Sequence, residues 1–180
     1  MKFLLPKKYY IISNFNKEIE RNLKKYKNIG IIFRPKNPKD IIYLKKIAQS
    51  NLHNRVFVGN EFKKIVNRNV YGLYLSRFNK IIKNNRYTCG FDYPILGSAR
   101  NLRDIFQKIR SNCNIIFLSS VYKSPSHPED KNHLGLIKYL LIKRLFVNQR
   151  IYAMGGITSD KLNCAILKDI GFAGISYFEK

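Results

Sequence analysis

Eight short apolar runs alternate with lysine-rich stretches of helical spacing along the 180 residues. That alternation restricts what the chain can fold into more than any other feature of the sequence. The strand-like runs are Lys8–Ser13, Ile29–Phe33, Arg55–Val58, Tyr71–Leu75, Tyr93–Gly97, Ile115–Ser119, Ile151–Met154 and Gly174–Tyr177. They are rich in β-branched and aromatic residues, which suits buried strands. Between them, Asn16–Lys27 has Ile19 and Leu23 four apart behind a capping asparagine. Asn37-Pro38 opens a second helix that runs to about Gln49, with proline at its first position. Further helices are expected over Glu61–Val66, Asn101–Arg110, Leu134–Leu145 and Asp160–Asp169. The one over Asn101–Arg110 is clearly amphipathic through Leu102, Ile105, Phe106 and Ile109.

Strict strand–helix alternation predicts an α/β fold in which eight parallel strands close into a TIM barrel. The whole chain, 1–180, reads as one domain, with no linker or low-complexity tract. It is compact for this fold, which usually takes about 250 residues. The last run lies so near residue 180 that the final helix is expected to be missing or truncated. One apolar face is then left to a partner chain, to the N-terminal residues or to nothing, and a homodimer is a reasonable expectation.

The chemistry-bearing feature is Ile151-Tyr152-Ala153-Met154-Gly155-Gly156-Ile157-Thr158. A strand that runs into two glycines beside a helix start exposes several backbone N–H groups at one point, which is the backbone chemistry of a phosphate site. Gly171-Phe172-Ala173-Gly174-Ile175-Ser176 repeats the theme fifteen residues on. Tight strand–helix turns need glycine in any case.

A net charge of +23, from 34 Lys and Arg against 11 Asp and Glu, points in two directions. A polyanion partner is one. The other is an AT-rich coding sequence, in which lysine is the default surface residue. The basic residues are spread over the whole chain, and no RNP-type, helix-turn-helix or zinc-finger signature is present, so nucleic acid ranks last among the expected partners. Cys89, Cys113 and Cys164 form no CxxC pair and read as small buried hydrophobes in a reducing compartment. Met1–Pro6 lacks the apolar core of a secretion signal. No apolar run reaches the roughly 18 residues that a membrane helix needs. A cytoplasmic protein without a membrane partner is therefore expected.

The order of these motifs resembles thiamine phosphate synthase and its relative, the TenI-type thiazole tautomerase. The resemblance runs from the first strand to the eighth and is strongest over Pro94–Ser176. It is carried by Ile95-Leu96-Gly97-Ser98, Val121-Tyr122, Ser124-Pro125-Ser126-His127-Pro128, His133-Leu134-Gly135, Ala153-Met154-Gly155-Gly156-Ile157 and Gly171–Ser176. It implies a cytoplasmic transferase of thiamine biosynthesis that joins hydroxymethylpyrimidine diphosphate to thiazole phosphate, with Mg²⁺ helping diphosphate to leave. It also implies that Arg34, Lys36, Ser98 and His127 serve catalysis at the diphosphate. Ser124 and Ser126 would bind substrate there, while Gly135, Gly155, Gly156 and Ser176 would cup the thiazole phosphate. The ligands would be the phosphorylated pyrimidine and thiazole substrates, or thiamine phosphate itself.

The sequence departs from that pattern at the metal. Where the family has two aspartates, Val58-Gly59-Asn60-Glu61 and Leu75-Ser76-Arg77-Phe78-Asn79 stand here. Asn60, Glu61 and Asn79 are the residues nearest the Mg²⁺ ligands, yet a hard dication wants anionic oxygen. The histidine that serves the tautomerase as base aligns with Arg100. Arg77 and Arg100 are therefore expected to face the mouth of the barrel and to replace the charge of the metal. Alongside the enzyme, these departures raise the alternative of an inactive or repurposed barrel that binds a phosphorylated ligand without turnover.

Overall fold

The computed structural model describes residues 3–59, 70–79, 93–124, 132–162 and 170–179. Within them lie eight parallel strands: β1 Lys8–Ile12, β2 Gly30–Phe33, β3 Arg55–Gly59, β4 Gly72–Leu75, β5 Ile95–Ala99, β6 Ile115–Leu118, β7 Ile151–Met154 and β8 Phe172–Gly174. They pair in chain order, and β8 returns to β1 through Lys8↔Phe172 and Tyr10↔Gly174, so the sheet closes. The chain is an eight-stranded parallel barrel with helices between strands, a TIM barrel.

Strand periodicity of two sorts the side chains into an inside and an outside. Tyr9, Ile32, Phe57, Tyr74, Leu96 and Phe117 point inward and are buried. The Tyr9 ring meets Phe117 edge-on at 5.1 Å and Phe57 at 5.8 Å, geometries that aromatic pairs favour. The inner positions Gly30 and Gly72 leave room for this cluster: a Cβ on Gly30 would overlap the Tyr9 ring, and one on Gly72 the Phe57 ring. Large and small residues thus interdigitate, and the barrel is packed below its mouth. The alternate residues, among them Tyr10, Ile31, Phe33, Val56 and Val58, face the helices and are equally buried. With both faces covered, the strands read as continuous apolar runs.

The helices start where capping predicts. Helix α1 spans Lys17–Lys25, and the Asn16 carboxamide oxygen accepts from the Ile19 N–H at 2.8 Å. A 3₁₀ segment, Pro38–Tyr43, leads into α2, Leu44–Ser50, so the single helix expected up to Gln49 is two segments. The Asn37 side chain takes the Lys39 N–H, and the Asp40 N–H closes an i→i+3 bond onto the Asn37 carbonyl, which sets the tighter winding. Helix α3 is Leu102–Arg110, capped by Asn101 through the Asp104 N–H at 2.9 Å. Helices α4, Leu136–Leu145, and α5, Ser159–Leu162, complete the described set. The helix expected over Glu61–Val66 and most of the one over Asp160–Asp169 lie outside the described residues.

Two strands are shifted from their sequence expectation. β5 begins at Ile95, two residues after Tyr93, because Pro94 has no N–H for the ladder and contributes only its carbonyl, to the Leu73 N–H at 3.0 Å. β8 is Phe172–Gly174, and the apolar run Gly174–Tyr177 mostly follows it. There the Ile175 carbonyl accepts from both Phe178 and Glu179, which turns the chain. Tyr177 and Phe178 fold back onto the barrel exterior. Phe178 stacks on Tyr10 at 4.8 Å and meets Tyr26 edge-on at 5.0 Å. The Tyr10 hydroxyl donates to Glu179 at 2.9 Å. The outer face of β1 beside β8 is therefore covered by the residues that follow β8. No helix among the described residues is long and apolar enough to cross a membrane.

Candidate functional site: an arginine, serine and glycine cleft at the barrel mouth

Side chains at the C-terminal ends of the strands converge on a cleft of about 450 Å³. This is the face on which TIM barrels carry their active sites. One side is cationic. Arg34 follows β2, with its N–H fixed to the Ile12 carbonyl at 2.8 Å and its guanidinium 5.6 Å from the centre of the Tyr74 ring. Such stacking directs the planar fork without using its N–H donors. Arg77 follows β4 and Arg100 follows β5, and both line the cleft. The Arg77 Nε donates to Asp104 Oδ2 at 2.8 Å, and the same oxygen accepts the Arg100 backbone N–H at 2.9 Å.

The opposite side is built from backbone. Gly155 and Gly156 have φ of +90° and +64°, values that L side chains rarely adopt. A Cβ on Gly155 would run into the Ser120 hydroxyl, and one on Gly156 into the Lys123 carbonyl. Three successive carbonyls are committed away from the cleft. Met154 O accepts from Val121 N at 2.9 Å, Gly155 O from Tyr122 N at 3.1 Å, and Gly156 O from Lys161 Nζ at 2.8 Å. A trans peptide holds its N–H opposite its C=O. The N–H groups of Gly155, Gly156 and Ile157, all cleft residues, therefore point away from those partners.

Between the two sides lie Ser98, Ser119, Ser124, Ser176 and the Tyr74 ring. Tyr74 is fully buried, and burial pushes its phenol well above the ordinary value, partly offset by Arg34 and by a hydrogen bond with Ser98. Its hydroxyl stays neutral and adds no negative charge to a cationic cleft.

Of the residues singled out from the sequence, Arg34, Ser98, Ser124, Gly155, Gly156, Ser176, Arg77 and Arg100 come together here. Lys36 is exposed in the turn after β2 and does not line the cleft. Gly135 also stands apart: its N–H donates to the Val121 carbonyl at 3.0 Å, and it caps α4 at φ +76°. Asn79 closes the turn after β4, and its carbonyl takes Lys108 Nζ at 2.6 Å. Asn60, Glu61, Ser126 and His127 lie outside the described residues. Cys113 is buried, as read from the sequence, whereas Cys89 and Cys164 also lie outside the described residues.

Tyr74, Asp104 and Lys108 were not legible as site residues. Tyr74 reads as one more buried strand aromatic, and the two α3 residues read as a solvated helix face. The one available hint was the Asn101-x-x-Asp104 spacing, which reads as a helix start and nothing more.

A magnesium ion can be tested against these groups. Among the described residues no carboxylate lines the cleft, and no three of His, Cys, Asp or Glu gather anywhere. The ground around Asn79 holds Lys108 and Arg77. Magnesium needs anionic oxygen, so the described residues do not make a site for it.

Fold and cleft together define a TIM barrel whose mouth is lined by arginine, serine and glycine. No protein-family model matches the chain. Among solved structures it is similar to thiamine phosphate pyrophosphorylase from Pyrococcus furiosus, with a TM-score of 0.72 and 18% identity over 93% of this chain and 84% of that one. It is also similar to 2-keto-3-deoxy-6-phosphogluconate aldolase from Zymomonas mobilis, with a TM-score of 0.62 and 14% identity over 97% and 83%. At these identities the likeness is one of fold. In sequence, the chain is 33% identical over 85 residues to large ribosomal subunit protein uL23c of Euglena gracilis, which takes in 47% of this chain and 80% of the relative. Over that stretch the chain belongs by sequence to the uL23c family. Over its described length it folds as a barrel.

Proposed function

We propose that this chain is a thiamine phosphate synthase-like barrel whose cleft takes phosphorylated pyrimidine and thiazole compounds. One observation carries the reading: three arginines face a glycine-pair backbone across a single cleft that holds no carboxylate, histidine or lysine among its described lining residues. Departure of a diphosphate needs positive charge where the leaving group gathers negative charge, and no general base need accompany it. Arg34, Arg77 and Arg100 supply that charge without a metal, and arginine matches phosphate oxygens two at a time. The glycine turn, with Ser124 and Ser176, holds the second phosphate. The resemblance of Ala153–Ile157 and Gly171–Ser176 to the thiamine phosphate synthase family supports this choice among barrels. Aldol chemistry through a Schiff base needs a lysine amine in the cleft, and the described lining residues include none.

The bare cleft also favours a second reading, a barrel that binds thiamine phosphate without turnover. Incubating the protein with hydroxymethylpyrimidine diphosphate and thiazole phosphate, with magnesium or with EDTA, decides between them. Thiamine phosphate formed equally in both conditions is the expected result. Product formed only with magnesium would end the metal-free account. Binding of thiamine phosphate with no product would select the second reading, and neither binding nor product would remove both.

A further inference from the structure

Helix α3 places two ionisable side chains, Asp104 and Lys108, one turn apart on its inner face. Both are buried, and neither lines the cleft. Lys108 has no exposed surface at all. Its Nζ donates to the carbonyls of Ser76 and Asn79, each at 2.6 Å. Those two carbonyls bracket Arg77 and Phe78, and the same four residues are closed by an Asn79 N–H bond to Ser76 O at 3.1 Å. Two carbonyl acceptors suit the three-donor lysine head. Asp104 Oδ2 meanwhile holds the Arg77 Nε and the Arg100 N–H. The turn that carries Arg77 is thus pinned at both ends by Lys108, while its guanidinium and the start of the Arg100 turn are fixed by Asp104.

An apolar residue would fill the Lys108 position at lower cost, because removing a cation from water is expensive unless it is well bonded. Gly97 gives way to it: a Cβ there would meet the Lys108 chain at 2.9 Å. The local charge stays positive by one. Asp104 offsets the charge of Arg77 that it orients, and Lys108 restores a positive charge beneath the same turn. Nε is the one Arg77 donor that Asp104 holds, which leaves the terminal Nη donors for the cleft.

We propose that Asp104 and Lys108 are positioning residues for anion binding, setting the affinity of the cleft through Arg77 and Arg100 without touching the ligand. This rests on the phosphate-binding reading above. The test is calorimetric titration of inorganic pyrophosphate in EDTA into the wild type, Lys108→Met, Asp104→Asn and Asp104→Glu, each with a thermal melt. Lys108→Met keeps length and apolar volume. It is expected to melt at or above the wild-type temperature while binding about tenfold more weakly. Asp104→Asn is expected to weaken binding several-fold, and Asp104→Glu to recover part of that loss. Wild-type affinity in a cooperatively melting Lys108→Met would overturn the assignment for Lys108, and in Asp104→Asn that for Asp104. Should Lys108→Met fail to fold, Lys108→Leu takes its place under the same criterion. No binding by the wild type would instead remove the phosphate-binding reading, and this inference with it.

Discussion

Arg34 shows how much one residue of this cleft depends on its neighbours. Its backbone N–H is spent on Ile12, and its guanidinium lies over Tyr74. Replacing it with lysine keeps the charge and loses both the stack and the two-pronged geometry. Arg34→Lys is therefore expected to weaken pyrophosphate binding by about tenfold in titration while leaving the melting temperature within a degree or two. The glycines separate stability from function. Gly135 and Gly156 both have positive φ, and an alanine at either costs about 1–3 kcal/mol of backbone strain, read as a lowered melting temperature. Gly135→Ala meets open space and is expected to bind the anion as the wild type does. Gly156→Ala must displace the chain at Tyr122 and Lys123 and is expected to lose binding. Equal binding by the two variants would refute the backbone cradle. Glycine and arginine were readable in the sequence because few other residues can do what they do. Lys108 was not, because in a chain with 34 Lys and Arg a buried lysine looks like any solvated one.

At the scale of elements, the strands and helix caps were legible because their signals are local. Asn16 and Asn101 stand one residue before their helices and accept from the N–H three residues on. The placement of β8 was not local. Ile175, Tyr177 and Phe178 are as apolar as a strand, and only the closure of the barrel on β1 decides which of them pair. Register through Tyr10↔Gly174 ends the ladder early and frees the aromatics to cover the outside. This gives the turn after β8 a definite energetic role. Phe178 is fully buried among Tyr10, Tyr26 and Phe172. Phe178→Ala should cost about 3–5 kcal/mol in chemical denaturation. Tyr10→Phe removes the hydroxyl's bonds with Glu179 and Asn22 and should cost about 1–2 kcal/mol. Costs in the opposite order would mean that the turn is held by its polar bond rather than by packing. Ser176 begins this turn and lines the cleft, so Phe178→Ala should also weaken anion binding.

For the whole molecule, the excess of +23 acts in two ways that one experiment can separate. Self-repulsion of like charges destabilises the compact state, and any salt relieves it by screening. An anion that binds one site adds stability by mass action, about 2.7 kcal/mol at a hundred times its dissociation constant. For a chain of this length that corresponds to roughly 5–10 °C in melting temperature. Pyrophosphate should therefore raise the melting temperature well beyond sodium chloride of equal ionic strength. A variant carrying Arg34→Gln and Arg100→Gln still holds 32 of the 34 basic residues, so it keeps nearly all of the screening response while losing two of the cleft's three arginines. Its shift in pyrophosphate should fall most of the way to that seen in chloride. If instead the variant and the wild type respond alike, the charge works diffusely over the surface.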